Sequence, residues 1–126
     1  AMNNTEFKDL SITEIHTIEA IGKEGNRTMG EIANDLRITV GTLTTAINRL
    51  IKKGYVERKR IEEDRRVVVV YLTESGKKVF DEHTLFHKEM IDEVAKNFED
   101  YELKVLTKAL SKVSEFFEDK YQDLKE

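Results

Sequence analysis

The sequence predicts a mainly α fold with a small β-wing, an α+β arrangement, and three observations predict it. Two capping boxes of the form Ser/Thr-x-x-Glu open two short helical patterns, at Ser11 and Thr28. A β-branched run, Val67 to Val70, follows a strongly cationic stretch and reads as the returning strand of a hairpin. Beyond Thr73 there are two long patterns of helical period, in a chain without a single proline.

The segment 1–10 is polar and weakly patterned. Ser11 and Glu14 begin the first helix, with Ile12, Ile15, Ile18 and Ile21 as its buried stripe and Gly22 as its end. Gly25 and Asn26 mark a loop. Thr28 and Glu31 begin the second helix, whose inner side is Met29, Ile32, Ala33 and Leu36. Arg37 and Ile38 leave room only for a tight turn before the third helix, which Thr39 caps and Gly54 ends. Two short helices joined so tightly make a helix-turn-helix.

The third helix decides the functional reading. Val40, Leu43, Ile47, Leu50 and Ile51 form its apolar face. The other face carries Thr42, Thr45, Asn48, Arg49, Lys52 and Lys53, with no acid at all. Short hydrogen-bonding side chains can reach base edges and cations can meet phosphate. The candidate DNA contacts on this helix are Thr39, Gly41, Thr42, Thr44, Thr45, Asn48, Arg49 and Lys52. The plainer alternative is an amphipathic surface helix that happens to lack acids.

After Gly54, residues 55–60 alternate as a strand, residues 61–65 connect, and residues 66–72 return. Arg58, Lys59, Arg60, Arg65 and Arg66 gather near the tip and make the hairpin a basic wing; Arg58, Arg60, Asp64, Arg65 and Arg66 complete the candidate DNA-binding set. A helix from Thr73 to about Asn97 presents Val79, Phe80, Phe86, Met90, Ile91 and Val94 on one side. After a break at Phe98 to Asp100, a last helix keeps Leu103, Leu106, Leu110, Val113, Phe117 and Leu124 in a near-heptad stripe. These stripes need a partner, and a second copy of the chain is the economical one. The expected division is a DNA-binding domain over 11–72 and a dimerisation region over 73–126.

Charge supports this. The chain carries 21 cations and 25 acids, a net −4 that at first argues against a nucleic-acid partner. Residues 37–66, however, hold 9 cations and 4 acids, a local +5, between acidic flanks. With no cysteine there is no disulfide framework and no thiolate metal site. No apolar run reaches membrane length and no signal peptide opens the chain, so the expected location is the cytoplasm. An enzyme is not expected: no nucleophile–histidine–acid set and no glycine-rich phosphate loop can be placed. A helical protein-interaction module without DNA binding is the other class, and it would have no need of the +5 block.

The order of elements, and the run Asp64-Arg65-Arg66 followed after five residues by Leu72-Thr73, resemble the MarR family of bacterial winged-helix repressors. Asn48-Arg49-Leu50 with Lys53-Gly54-Tyr55-Val56 fit the same pattern. The resemblance covers Ser11 to the C-terminus. It implies a homodimer on a pseudo-palindromic double-stranded operator, with recognition helices in successive major grooves and wings in flanking minor grooves. It also implies that Arg66 pairs with Asp64 while Arg65 reaches the groove. Family members usually begin with a long helix that joins the dimerisation region; here about ten residues precede Ser11.

Within the family, residues 14–22, 38–58 and His83-x-x-x-His87 resemble the fatty-acid-synthesis repressors of Gram-positive bacteria, which use long-chain acyl carrier protein as corepressor. An acyl sensor would need an apolar cavity between the winged domain and the dimer helices. Its expected lining is Ile15, Ile18, Phe80, Phe86 and Met90, with His16, His83 and His87 at the edge. On that reading no cofactor is needed. Zinc-uptake repressors of the same family use a histidine on an early helix and a His-x-x-x-His later. His16, His83 and His87 are therefore the alternative zinc ligands, beside the plainer possibility of structural histidines.

Overall fold

The computed structural model describes residues 9–125, so all but the last two residues of the polar opening segment lie outside it, as does the side chain of Leu124. The described residues divide into two compact units, one ending at His87 and the other beginning at Lys88.

The first unit begins with α1 (Ile12–Ile21), capped by Ser11 and Glu14 through reciprocal bonds of 3.1 and 2.9 Å. Gly22, at φ 72°, ends it. Its stripe is only partly as predicted. Ile15, Ile18 and Ile21 are buried, but Ile12 is 63% exposed, and Thr17 is buried in its stead. Thr17 tolerates this because its hydroxyl donates to the Thr13 carbonyl at 2.9 Å. α2 (Met29–Leu36) opens with the Thr28–Glu31 capping box and ends on Arg37 in the left-handed region. α3 (Val40–Lys53) runs between Thr39 and a left-handed Gly54 at φ 89°, as its sequence predicts.

The sheet departs from the expected hairpin. β1 (Arg27–Thr28), read from the sequence as the edge of a loop, pairs with β3 (Val68–Leu72), which also pairs with β2 (Val56–Arg60). The order is β1-β3-β2, all antiparallel. Two residues carry no readable alternation; Arg27 is held there by its guanidinium, which donates to the Ala20 carbonyl and pairs with Asp35.

Ile18, Ile21, Ile32, Leu43, Ile47, Leu50, Val56, Val70 and Val79 fill the core, each under 2% exposed. Burying one such side chain is worth about 1.5–3 kcal/mol. Val79 belongs to α4 (Glu74–Ala95), so the first turns of that long helix are part of this unit. Thr73 fixes their position. Its hydroxyl donates to the Gly54 carbonyl at 2.7 Å and accepts from the Gly76 N–H at 3.2 Å, while its own N–H donates to the Tyr55 carbonyl at 3.0 Å. The second unit holds the rest of α4 and α5 (Asp100–Lys125).

Gly76 is required by this docking. A Cβ there would sit 2.2 Å from the Tyr55 carbonyl oxygen, and backbone cannot yield as a flexible side chain can. We expect Gly76→Ala to destabilise the protein by about 1–3 kcal/mol, measured by urea unfolding. The exposed neighbour Ser75→Ala should change little; equal stability of Gly76→Ala and the parent would show that α4 docks differently.

Candidate nucleic-acid interface

The interface is built on α3. Leu43, Ile47 and Leu50 anchor its inner face at 0% exposure, which leaves Gly41, Thr42, Thr45, Asn48, Arg49 and Lys52 exposed on the outer one. The helix has no acid on any face. Thr39 does more than cap it: its hydroxyl oxygen accepts from the Thr42 N–H at 3.0 Å and its proton goes to the Thr42 hydroxyl at 2.9 Å. Thr44 and Thr45 donate back to the carbonyls of Val40 and Gly41, at 2.8 and 3.4 Å. A Cβ on Gly41 would meet nothing nearer than 3.9 Å, so packing within the protein does not require a glycine there.

Two residues of α3 depart from the reading by periodicity. Val40, read as part of the buried face, is 49% exposed. Lys53, read as an outward cation, stays exposed but is tied to the start of α1. Its ammonium donates to both Glu14 carboxylate oxygens at 3.0 Å and to the Asp9 carbonyl. Burial raises the Glu14 pKa, but the Ser11 N–H and Lys53 outweigh it and hold the carboxyl below its ordinary value. Beside them the Tyr55 hydroxyl donates to Asp9 at 2.8 Å; burial and that bond push its pKa up to about 12. Lys53 therefore holds the end of α3 against the start of α1.

The wing supplies the remaining cations. Arg58 and Arg60 share a face of β2 by the period-2 rule, while Glu57 on the other face accepts from the Tyr71 hydroxyl at 2.6 Å. Arg58, Lys59, Arg60 and Val68 of the wing line a groove of about 400 Å³ together with Met29, Val40 and Thr44. The tip is locked. Val67 donates to Asp64, Ile61 to Val67 and Asp64 to Ile61 along the backbone, at 2.9–3.2 Å. Arg66 and Asp64 make the predicted pair through two bonds of 3.0 and 3.1 Å, which keep the Asp64 carboxyl below its ordinary value. Arg60 donates to the Arg65 carbonyl at 2.7 Å. The Arg65 side chain is 70% exposed, with a Glu62 carboxylate oxygen 4.0 Å away, and the paired Arg66 is 91% exposed.

The histidines gather on the other side of α1. His83 is buried, with the His87 and His16 rings 4.3 and 5.8 Å away between centroids. Glu19 places a carboxylate oxygen 2.9 Å from His83 Nε2, yet neither ring nitrogen has a hydrogen bond of good geometry among the described residues. Desolvation lowers the His83 pKa, opposed by the nearby Glu19, so its neutral form is favoured. Donor atoms of Glu19, His83 and His87 lie within 4.8 Å of one another, so these three, and not the sequence-read trio with His16, are the set that could share an ion. Glu19 follows His16 by one helical turn, a spacing that could have drawn notice; its meeting with His83 depends on the fold.

The expected ligand-cavity residues are not all alike in their surroundings. Ile15 and Ile18 are core, Phe80 packs partly buried against that core, and Phe86 stacks near His83 at 6.5 Å. Met90 belongs to the second unit, where it is 45% exposed.

Known proteins carry the same arrangement. The family model described as MarR family matches residues 10–68. A solved structure, Streptococcus pneumoniae FabT in complex with DNA, superposes with a TM-score of 0.88 at 41% identity, over 92% of this chain and 81% of that one. Lactococcus lactis ZitR, described as a zinc-responsive MarR family member, gives a TM-score of 0.67 at 31% identity, over 86% and 76%. The transcriptional regulator BilQ of Clostridium symbiosum is 31% identical over 105 residues, 82% of this chain and 72% of its own. No helix of the described residues is long and apolar enough to cross a membrane. The acid-free α3, the basic wing and these likenesses agree: the chain belongs to the MarR family of DNA-binding transcriptional regulators, which are not enzymes.

Proposed function

We propose that this protein is a sequence-specific repressor that binds a pseudo-palindromic operator as a homodimer and controls fatty-acid-synthesis genes, with long-chain acyl carrier protein as corepressor. The observation that carries the DNA-binding part is the exposed, acid-free face of α3 flanked by the cations of the wing. Thr42 and Asn48 are assigned to base edges, Arg49 and Lys52 to phosphate, and Arg65 to the minor groove. The resemblance of residues 14–22, 38–58 and 83–87 to fatty-acid-synthesis repressors supports the choice of genes. Such a regulator works in the cytoplasm and needs no cofactor to bind its operator.

The homodimer rests on α5. Leu106, Leu110, Val113, Phe116 and Phe117 are 39–60% exposed, a stripe of large apolar groups with no cover within its own unit. A second copy would bury it.

A second reading has its own support. A buried His83, with a Glu19 oxygen 2.9 Å from its Nε2 and His87 beside it, resembles a half-built zinc site, and ZitR is described as zinc-responsive. On this reading zinc replaces the acyl carrier as effector.

Selection from a random duplex library should enrich one pseudo-palindrome; no enrichment would refute the regulator reading. On that duplex, Arg65→Ala should weaken binding and reduce the salt slope by about 1, and Asn48→Ala should cost about 1–3 kcal/mol of discrimination. Leu110→Asp should give monomers that bind weakly, read by sedimentation; a parent protein that sediments as a monomer at micromolar concentration refutes the dimer. Long-chain acyl carrier protein should tighten operator binding while micromolar zinc does nothing. The opposite result selects the zinc reading, and Glu19→Gln should then abolish the response.

A further inference from the structure

We propose that the recognition helix reads thymine through its C5-methyl group, with Val40 and the methyl of Thr44 as the reading surface. The inference rests on the DNA-binding role proposed above and names chemistry of readout that a threonine-rich helix conceals.

Val40 is the first residue of α3, at the helix end that approaches base edges in a helix-turn-helix. It is aliphatic and 49% exposed, whereas Leu43, Ile47 and Leu50 of the same helix are fully buried. A lone exposed valine is ordinary. This one is part of a groove wall shared with Thr44, Met29, Arg58 and Arg60. Cations there can hold phosphates, and a duplex so held presents its base edges to the wall between them.

Thr44 completes the surface because its hydroxyl is already engaged. It donates to the Val40 carbonyl at 2.8 Å, a bond the helix satisfies without ligand. With its proton spent, Thr44 keeps a methyl and an acceptor oxygen, and toward thymine, whose O4 is itself an acceptor, the methyl is the useful one. Thr45, one residue on, has a weaker bond of 3.4 Å to Gly41 and keeps more of its hydroxyl for bases. Thymine is the one base whose major-groove edge carries a methyl, and valine and threonine methyls are suitable partners for it. The helix therefore splits its work: Thr42, Thr45 and Asn48 by hydrogen bonds, Val40 and Thr44 by apolar contact.

Deoxyuridine removes that methyl and keeps every hydrogen-bonding group. The experiment uses the full chain and a duplex it has itself selected from a random library, with each thymine replaced in turn by deoxyuridine in both half-sites. At one or more positions the parent protein should lose about fourfold in affinity per methyl, the scale of burying one such group. Val40→Ala and Thr44→Ser should bind the thymine duplex more weakly and lose part or all of that uracil penalty. Thr44→Val keeps the methyls without the helix bond and should retain the penalty. Val40 is exposed and alanine favours helix, so that variant should fold. Three results would overturn the inference: uracil everywhere tolerated within twofold; a penalty undiminished in both Val40→Ala and Thr44→Ser, which marks it as a property of duplex shape; or Thr44→Ser binding normally while Thr44→Val fails, which assigns the reading to the hydroxyl. Failure to select any duplex would remove the DNA-binding reading itself, and this inference with it.

Discussion

The turn at Gly54 and Tyr55 is the joint on which the first unit depends. Gly54 takes a left-handed conformation that most side chains resist, and so ends α3 and sends the chain into the wing. Both carbonyls of the turn are taken by Thr73, which caps α4. The Tyr55 ring is buried and its hydroxyl reaches Asp9, while Lys53 reaches Glu14 at the start of α1. Three helices and a hairpin thus meet within three residues. Gly76 lacks a side chain because the Tyr55 carbonyl stands where its Cβ would be. Helix α3 and the wing are set relative to each other by this joint.

Electrostatics then works locally. Unlike charges more than about 8 Å apart in exposed positions are largely screened at physiological salt, so a net charge of −4 does not prevent a +5 block from holding phosphate. The exposed pairs of the wing add little stability; their use is geometric. Asp64 binds Arg66 with both oxygens and accepts the Arg66 N–H as well, at 3.1 Å, so one carboxylate shapes the loop while the side chains of Arg65 and Arg66 both stay exposed.

Much of this was legible in the sequence because capping is local. Ser11–Glu14, Thr28–Glu31, Thr39 and Gly54 each place a helix end through bonds spanning three or four residues, and each lies where it was read. The cationic wing and the Asp64–Arg66 pair were legible for the same reason. Periodicity gives the direction of a side chain and not the depth of what covers it. Ile12 and Val40 point with their stripes but stand at helix starts, beyond the reach of the core. β1 has two residues and borrows its register from β3, forty residues on, so no local pattern announces it. Lys53 and Glu19 were misread or missed because their partners, Glu14 and His83, are brought near only by the fold.

Glu14 and Glu19 lie five residues apart on α1 and make opposite connections. Glu14 holds Lys53 at the end of α3, and Glu19 stands beside His83 on α4. α1 is therefore the element through which the histidine cluster and the recognition helix can share free energy. A ligand shifts such an equilibrium only by its differential affinity for the two states. A cation at Glu19 would draw that carboxylate fully toward His83 and His87, whereas an acyl group would act on the apolar side of the same helix, where Ile15 and Ile18 already close the core. Either way the coupling must be reciprocal: operator binding would change effector affinity by the same factor that effector changes operator affinity. His83 meets a single Glu19 oxygen at 2.9 Å, whereas Lys53 reaches both oxygens of Glu14, so α1 is tied to the end of α3 by the more extensive of the two contacts.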